Sequence, residues 1–362
     1  MKILFWVPYP KEGASNRYRV DQFLPYLTKR GIEYTVHPFW SPEAFRILYV
    51  KGHYLKKTFY LVRGVFFRIG DIFLIYRYDL VFVHREAFPI GPAFLETILY
   101  LLRKPFVFDF DDAVFLPVSS RSNYFIQRFK NNAKIPGIIG MSRAVLAGND
   151  YLAGFARKYN PNVYVIPTVI DTDKCVVKKK GSVSSIVVGW TGSDTTLDFL
   201  KPMEPVFRVL SNQFDGLRFK IIGGDPDFNA LPNVISIPWS LSDELNQISS
   251  FDIGIMPIPD DPWTRGKCGF KAILYMSMEI PCVCSAVGVN KSIIKDGVNG
   301  FLASTEKEWI DKLSLLIEDA KLREKIGQAG RKTVEEGYSL KAYSGKFVDI
   351  LKSVYNQDKK NE

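Results

Sequence analysis

Short apolar bursts alternate with helix-patterned stretches along this chain, and the alternation runs through twice. In the first half Ile3-Leu-Phe-Trp-Val7, residues 32–38, Asp79-Leu-Val-Phe-Val-His84, Pro105-Phe-Val-Phe-Asp-Phe110 and Ala144-Val-Leu-Ala147 read as strands. In the second half residues 185–189, 219–222, 234–237, 252–256 and 281–284 do the same. Helical stretches lie between them, at 20–29, 94–102, 195–210 and 243–249. Continuous apolar runs joined by helical crossovers build parallel sheets covered on both faces. The expected class is therefore α/β, with two Rossmann-like domains joined near residues 167–183 and facing each other across a cleft. A length of 362 residues suits two cores. An amphipathic helix over 340–355 closes the chain.

Composition narrows the function. Four cysteines (Cys175, Cys268, Cys282, Cys284) have neither disulfide density nor zinc spacing, and three histidines make a His-ligated metal site unexpected. No apolar run is long enough to span a bilayer, and nothing at the start resembles an export signal, so a cytoplasmic protein is expected. The net charge of +10 asks for an anionic partner. Residues 44–78 supply one reading. Leu55, Phe59, Val62, Phe66 and Ile69 recur at helical spacing, interleaved with Arg46, Lys51, Lys56, Lys57, Arg63, Arg68 and Arg77, and Asp71 is the one acid between Arg46 and Arg77. Rings that enter headgroups beside cations that meet anionic lipid suit peripheral docking on the inner face of the cell membrane, through residues 45–69. The plainer alternative is a core-packed helix with a solvated basic face. No nucleic-acid motif accompanies the charge, so nucleic acid is not an expected partner.

Gly189-Trp-Thr-Gly-Ser193 ends a strand in a turn of small residues before a helix, where backbone amides can hold phosphate oxygens; as a connecting turn it needs no ligand. From Asp252 the chain reads strand, Pro/Asp loop, then Arg265-Gly-Lys-Cys-Gly-Phe-Lys271, a short helix and the strand Pro281-Cys-Val-Cys284. This stretch resembles the donor-binding region of retaining glycosyltransferases of family 4, which have the GT-B fold. Gly266, Lys267, Lys271, Tyr275, Met276 and Pro281 match in order the GKxxxK turn, Tyr-Met-Ala helix and Pro-Val-Val strand of one branch. Val165-Ile-Pro-Thr-Val-Ile-Asp171 resembles the family hinge, and Ala286 to Leu302 resembles its Gly-Gly … Gly-Phe-Leu stretch. Tyr338-Ser339 precedes what resembles the helix that crosses back onto the first domain.

The resemblance implies an acceptor-binding domain over 1–167 with the crossover helix at about 338–356, and a nucleotide-sugar domain over 168–337. It implies transfer of a sugar from a UDP- or GDP-sugar to a glycan or lipid-linked acceptor, with retention, no metal and no cofactor beyond the nucleotide-sugar co-substrate. The donor would meet Trp190, Thr191, Gly192, Ser193, Arg265, Lys267, Gly269, Phe270 and Lys271. Lys267 and Lys271 would share one face if the turn is already helical, though solvated lysines are the plainer reading.

In the first domain, Phe108-Asp-Phe-Asp-Asp112 ends a strand where α/β sheets place ligands. Asp111 falls where the family has a residue beside the transferred sugar, suited to a sugar hydroxyl or to deprotonating the acceptor; Asp112 is a second catalytic candidate or a helix cap. Asp109-Phe-Asp111 also mimics the metal motif of the other large glycosyltransferase fold. Asn16, Arg17 and Arg19, in the loop after the first strand, would suit an anionic acceptor, with His84 beside them. Two departures stand out. The family's paired glutamates are missing: the second falls at Leu274, the first near Lys267 or Cys268. No cation follows the Gly189–Ser193 turn. A catalytically silent sugar-nucleotide-binding scaffold is the alternative these departures favour.

Overall fold

The computed structural model describes residues 1–50, 52–117, 131–177, 185–228 and 231–361. It divides into two compact units: Met1–Thr168 with Gly266–Cys268 and Tyr343–Glu362, and Val169–Arg265 with Gly269–Ala342. The expected joint lies partly at 178–183, outside the described residues.

In the first unit β1 (Lys2–Val7), β2 (Glu33–Pro38), β3 (Leu80–His84), β4 (Phe106–Phe110), β5 (Ala144–Ala147) and β6 (Val163–Val165) form one sheet ordered β2-β1-β3-β4-β5-β6. Every pairing is parallel, Leu4 for example lying between Thr35 and Val81. The helices are α1 (Ala14–Arg19), α2 (Leu24–Lys29), α3 (Pro42–Leu48), α4 (Tyr54–Leu74), α5 (Phe94–Leu101), α6 (Ile135–Met141) and α7 (Asp150–Ala156). Ile3 to Val7 and Leu80 to Val83 are inaccessible to solvent, which is why these strands read as unbroken apolar runs rather than alternating ones.

The second unit repeats the plan. Its sheet holds β7 (Val187–Thr191), β8 (Arg218–Ile222), β9 (Val234–Ile237), β10 (Ile253–Met256), β11 (Cys282–Ser285) and β12 (Phe301–Ala303), all parallel, in the order β12-β11-β10-β7-β8-β9. The helices are α8 (Asp194–Leu197), α9 (Glu204–Gln213), α10 (Glu244–Ile248), α11 (Pro262–Arg265), α12 (Phe270–Met276), α13 (Asn290–Ile293), α14 (Glu306–Glu318), α15 (Ala320–Gly337) and α16 (Leu340–Asn361). Trp190, Phe207, Phe219, Ile255 and Leu313 belong to its core, with Phe207 and Phe219 stacked at 3.9 Å. The single helix expected over 195–210 is instead α8, a 3₁₀ stretch over Asp198–Met203 containing Pro202, and α9 with Pro205 in its first turn. Proline lacks the N–H that a continuous helix needs there. From Tyr343 onward α16 belongs to the first unit, where Phe347 stacks on Phe23 at 4.3 Å.

One helix inverts the expected pattern. α4 buries Lys57, Gly64, Arg68 and Asp71, while Leu55, Phe59, Val62, Phe66, Ile69 and Phe73 are exposed. Arg68 explains the inversion. Its guanidinium donates to the carbonyls of Val7, His37 and Ala87 at 2.8–3.1 Å and lies over the Trp6 ring. Asp71 accepts from Trp6 Nε1 at 2.9 Å and pairs with Arg68 and His37. Carbonyls at strand ends need donors, and a charged face of α4 provides them. The expected apolar face is therefore not the one packed in the core; Tyr60, Leu61 and Val65 of α4 pack against Phe39, Trp40, Ala44 and Leu48 instead. Two of the cations expected to meet lipid, Lys57 and Arg68, point inward, and Lys51 lies outside the described residues. Arg46, Lys56, Arg63 and Arg77 remain exposed.

Candidate functional site

Each sheet reverses its winding once, between β1 and β3 in the first unit and between β7 and β10 in the second. Ligands of open α/β sheets bind beyond the strand C-termini at such switch points. The chemistry-bearing residues of this chain collect at both.

At the first, Asp109 is wholly buried within β4 and cannot stay charged there without partners. Arg19 donates to both of its carboxylate oxygens and to the Ile166 carbonyl. His84, ending β3, places Nδ1 2.6 Å from Asp109 Oδ2 and Nε2 2.5 Å from Ser15 Oγ on α1. Burial by itself would raise the Asp109 pKa, but Arg19 and then His84 outweigh it and hold the carboxyl below its ordinary value. Arg19 is thus a core counter-ion, and the expectation that it grips an acceptor is corrected: its guanidinium faces no solvent. Asn16 is buried too, donating to Asp21 at 3.2 Å, and Arg17 packs over the Tyr18 ring.

Beyond β4, Arg85 bridges both aspartates expected to be catalytic, Nε to Asp111 at 2.8 Å and Nη2 to Asp112 at 2.6 Å. Its backbone sits in the left-handed region at φ 63, uncommon for a side chain of this size. Burial would raise the Asp111 pKa, but Arg85 and then His84 drive it well below the usual carboxylate range. Such a carboxylate accepts hydrogen bonds and is a poor proton acceptor. The deprotonating role considered for Asp111 is therefore corrected to that of a fixed anion. The Asp109-Phe-Asp111 pair is likewise unlike a metal motif, because each carboxylate faces a different arginine.

Lys267 belongs here as well. Gly266–Cys268 packs with the first unit. Lys267 Nζ lies 2.9 Å from Asp112, the carbonyls of Gly266 and Lys267 each accept from Asn149 at 3.0 Å, and Cys268 Sγ contacts the Asp111 carbonyl at 3.1 Å. Burial, then Asp111, push the Cys268 thiol up to about 12, so it is inert as a nucleophile. Lys267 precedes α12, and Gly269 caps that helix at φ +65. The two lysines therefore do not share a helical face, which corrects that expectation.

At the second switch point the Gly189–Ser193 turn is bound internally. The Thr191 amide donates to the Tyr275 hydroxyl at 3.1 Å, Gly192 to the Ile222 carbonyl at 3.0 Å and Ser193 to Thr196 Oγ1 at 3.3 Å. A Cβ on Gly223 would overlap the Gly192 carbonyl, so glycine there lets the two turns close. The expected amide cradle for phosphate is corrected: all three N–H groups have protein partners. Trp190 is a core residue, and Lys271, on α12, sets Nζ 5.2 Å from its ring centroid. Arg265 is exposed and paired with Asp260 at 2.6 Å; Phe270 begins α12 and is partly exposed. Ser193 is exposed at the start of α8.

The sequence model of the family glycosyl transferases group 1 matches residues 263–333, which run from α11 into α15 and include Lys267 and Lys271. Over that stretch the chain is similar to glycosyl transferases group 1. It is 24% identical over 185 residues to the capsular polysaccharide biosynthesis glycosyltransferase CapM of Staphylococcus aureus, covering 48% of this chain. That match spans 46%, about half, of the relative's length. Sucrose-phosphate synthase from Thermosynechococcus elongatus superposes with a TM-score of 0.71 at 15% identity, covering 99% of this chain and 100% of that one. HepE of Anabaena, solved with UDP and glucose, gives 0.66 at 13% identity over 98% and 100%. The fold is GT-B.

Leu274 is buried within α12, so the position resembling the family's second glutamate packs into the core. Arg85 follows His84 in the His84-Arg85-Glu86 strand end, a second-rank candidate in the sequence, whereas Ser15 and Asn149 carry no motif of their own. Their signal was indirect: a His and an Asp inside apolar strands need partners, and the nearest candidates in the chain flank those strands.

Proposed function

We propose that this chain transfers a sugar from a UDP- or GDP-sugar to a membrane-associated acceptor, such as a lipid-linked glycan or a precursor of a cell-surface polysaccharide, with retention at the sugar. The observation that carries the reading is the placement of the group 1 segment. Residues 263–333 begin in α11, the first helix after β10, beside the winding reversal where a nucleotide belongs in an open α/β sheet. Relatives of the same fold support the donor class, since HepE holds UDP and glucose. CapM supports polysaccharide synthesis. Lys271, Arg265 and the Ser193 hydroxyl would meet the diphosphate, whose charge grows as its bond to the sugar breaks. The exposed apolar face of α4, with Lys56 and Arg63, would seat the enzyme on anionic lipid at the inner face of the cell membrane.

The donor site is tested by melting curves with UDP, GDP and their sugars. At a hundred times Kd the right nucleotide adds about 2.7 kcal/mol of stability. The Lys271→Ala variant is expected to bind it about 10- to 100-fold more weakly, the worth of a charge-assisted contact. No shift with any of these nucleotides would sink the donor assignment. Leu274 favours a second reading, a catalytically silent protein of a glycan-assembly complex. Nucleotide-sugar binding with no hydrolysis or transfer would support it.

A further inference from the structure

Two helices of the first unit, not one, carry apolar surface to solvent. α5 buries Leu95 and Leu99, yet it ends in Tyr100, Leu101 and Leu102 at 57%, 72% and 41% exposure. Three successive positions turn through about 200° of a helix, so no single packed face accounts for them. Closing the helix does not need them either. Leu102 donates its amide to the Ile98 carbonyl, Arg103 to Tyr100 and Lys104 to Leu99, at 2.8–3.0 Å, and Arg103 turns the chain in the left-handed region at φ 53. A run of exposed apolar side chains that neither packs nor closes a turn marks a contact surface.

The sheet sets this run beside α4. The connections from β2 to β3 and from β3 to β4 cross the sheet in one direction, and that from β1 to β2 crosses in the other. Right-handed crossovers therefore put α4 and α5 on one face and α2 on the opposite face. Both chains then enter the sheet at one edge. There the Val81 amide donates to the Pro105 carbonyl at 3.1 Å, and the Lys104 ammonium donates to the Tyr78 carbonyl. Exposed Phe73 and Tyr76 precede β3 just as Tyr100 to Leu102 precede β4. The charges agree with the apolar surface. Between His53 and Lys104 the exposed charged side chains are Lys56, Arg63, Arg77 and Arg103, all of them cations. The acids Asp71, Asp79, Glu86 and Glu96 are each held by a protein partner. We propose that the end of α5 enters the same anionic bilayer as α4, so that the membrane contact is one face built from two helices. This rests on the membrane reading of α4. Apolar side chains ringed by cations suit acyl chains beneath acidic headgroups, whereas a second copy of the chain would set these cations against one another.

An environment-sensitive thiol label tests the proposal position by position. The four native cysteines are buried, so the label goes to an introduced one. Leu101→Cys at the end of α5, Phe66→Cys on α4 and Thr28→Cys on the exposed side of α2 are labelled in the full chain and mixed with vesicles containing phosphatidylserine. The Leu101→Cys and Phe66→Cys labels are expected to shift to the blue and to be quenched by nitroxide-bearing lipid; the Thr28→Cys label should do neither. A response at Phe66→Cys without one at Leu101→Cys overturns the proposal, assigns the α5 end to a protein partner and leaves the α4 reading standing. A response at Leu101→Cys alone overturns the two-helix face together with the α4 reading, and silence at both removes the bilayer altogether. A response at Thr28→Cys as well means adsorption without a preferred face and also overturns it. Serine at Tyr100, Leu101 and Leu102 together should weaken vesicle binding about 100-fold, with Tm unchanged because none of the three is buried. Arg103→Gln should weaken it about fivefold on these vesicles and leave binding to neutral ones as it was. Wild-type binding by the three-serine variant would likewise overturn the proposal.

Discussion

Replacing Arg19 with methionine is expected to destabilise the N-terminal unit by about 3–5 kcal/mol, the cost of leaving one member of a buried ion pair unpartnered. Both side chains are 1% exposed, so water cannot replace the guanidinium. Adding Asp109→Asn should recover a large part of the loss, because the amide oxygen still accepts from His84 and no charge is stranded. The pH dependence separates charge from packing. Arg19 and His84, against the effect of burial, depress the folded-state pKa of Asp109 below its unfolded value. The stability this contributes is fully present above about pH 4 and is lost as pH falls through the folded value. In Arg19→Met burial raises that pKa instead, so the variant gains relative to wild type as the solution is acidified from neutrality. Urea melts of both proteins between pH 7 and pH 4 measure the gap. A gap that stays constant with pH would assign the loss to the missing methylenes and not to the charge.

Particular residues show why the strands were legible and much of the site was not. β1, β3, β4, β5, β7 and β10 lie inside their sheets, so both faces demand apolar side chains and the runs stand out in the sequence. β6 and β12 are three-residue edge strands, too short for any pattern to mark. Lys267 was placed correctly in the chain and wrongly in the fold. Its partner Asp112 is 155 residues away, and only the folded path brings the two charges to 2.9 Å. The Gly189–Ser193 turn looked like a phosphate cradle because small residues permit one, yet the Tyr275 hydroxyl, a distant residue, already takes the Thr191 amide. α4 had the right period and the wrong expected company: helical spacing shows which residues share a face, but not which face the protein buries.

That inverted helix carries the other large effect. Leu55, Phe59, Phe66 and Phe73 are 89%, 64%, 69% and 79% exposed, on an element anchored inward by Arg68 and Asp71. A face of this kind is expected to partition into the headgroup boundary of anionic bilayers. Burying each large side chain fully is worth about 1.5–3 kcal/mol, and partial insertion at an interface realises part of that. Serine at all four positions should therefore weaken binding to phosphatidylserine-containing vesicles by about 1,000-fold, with the fold retained because none of the four is buried. Glutamine at Lys56 and Arg63 should cost about 1 kcal/mol per cation on these vesicles and almost nothing on neutral ones. Raised salt should weaken wild-type binding but leave the apolar share intact. Vesicle sedimentation of the three proteins gives both contributions. Equal sedimentation of wild type and the four-serine variant would remove the membrane from the proposal and leave the apolar face to a protein partner.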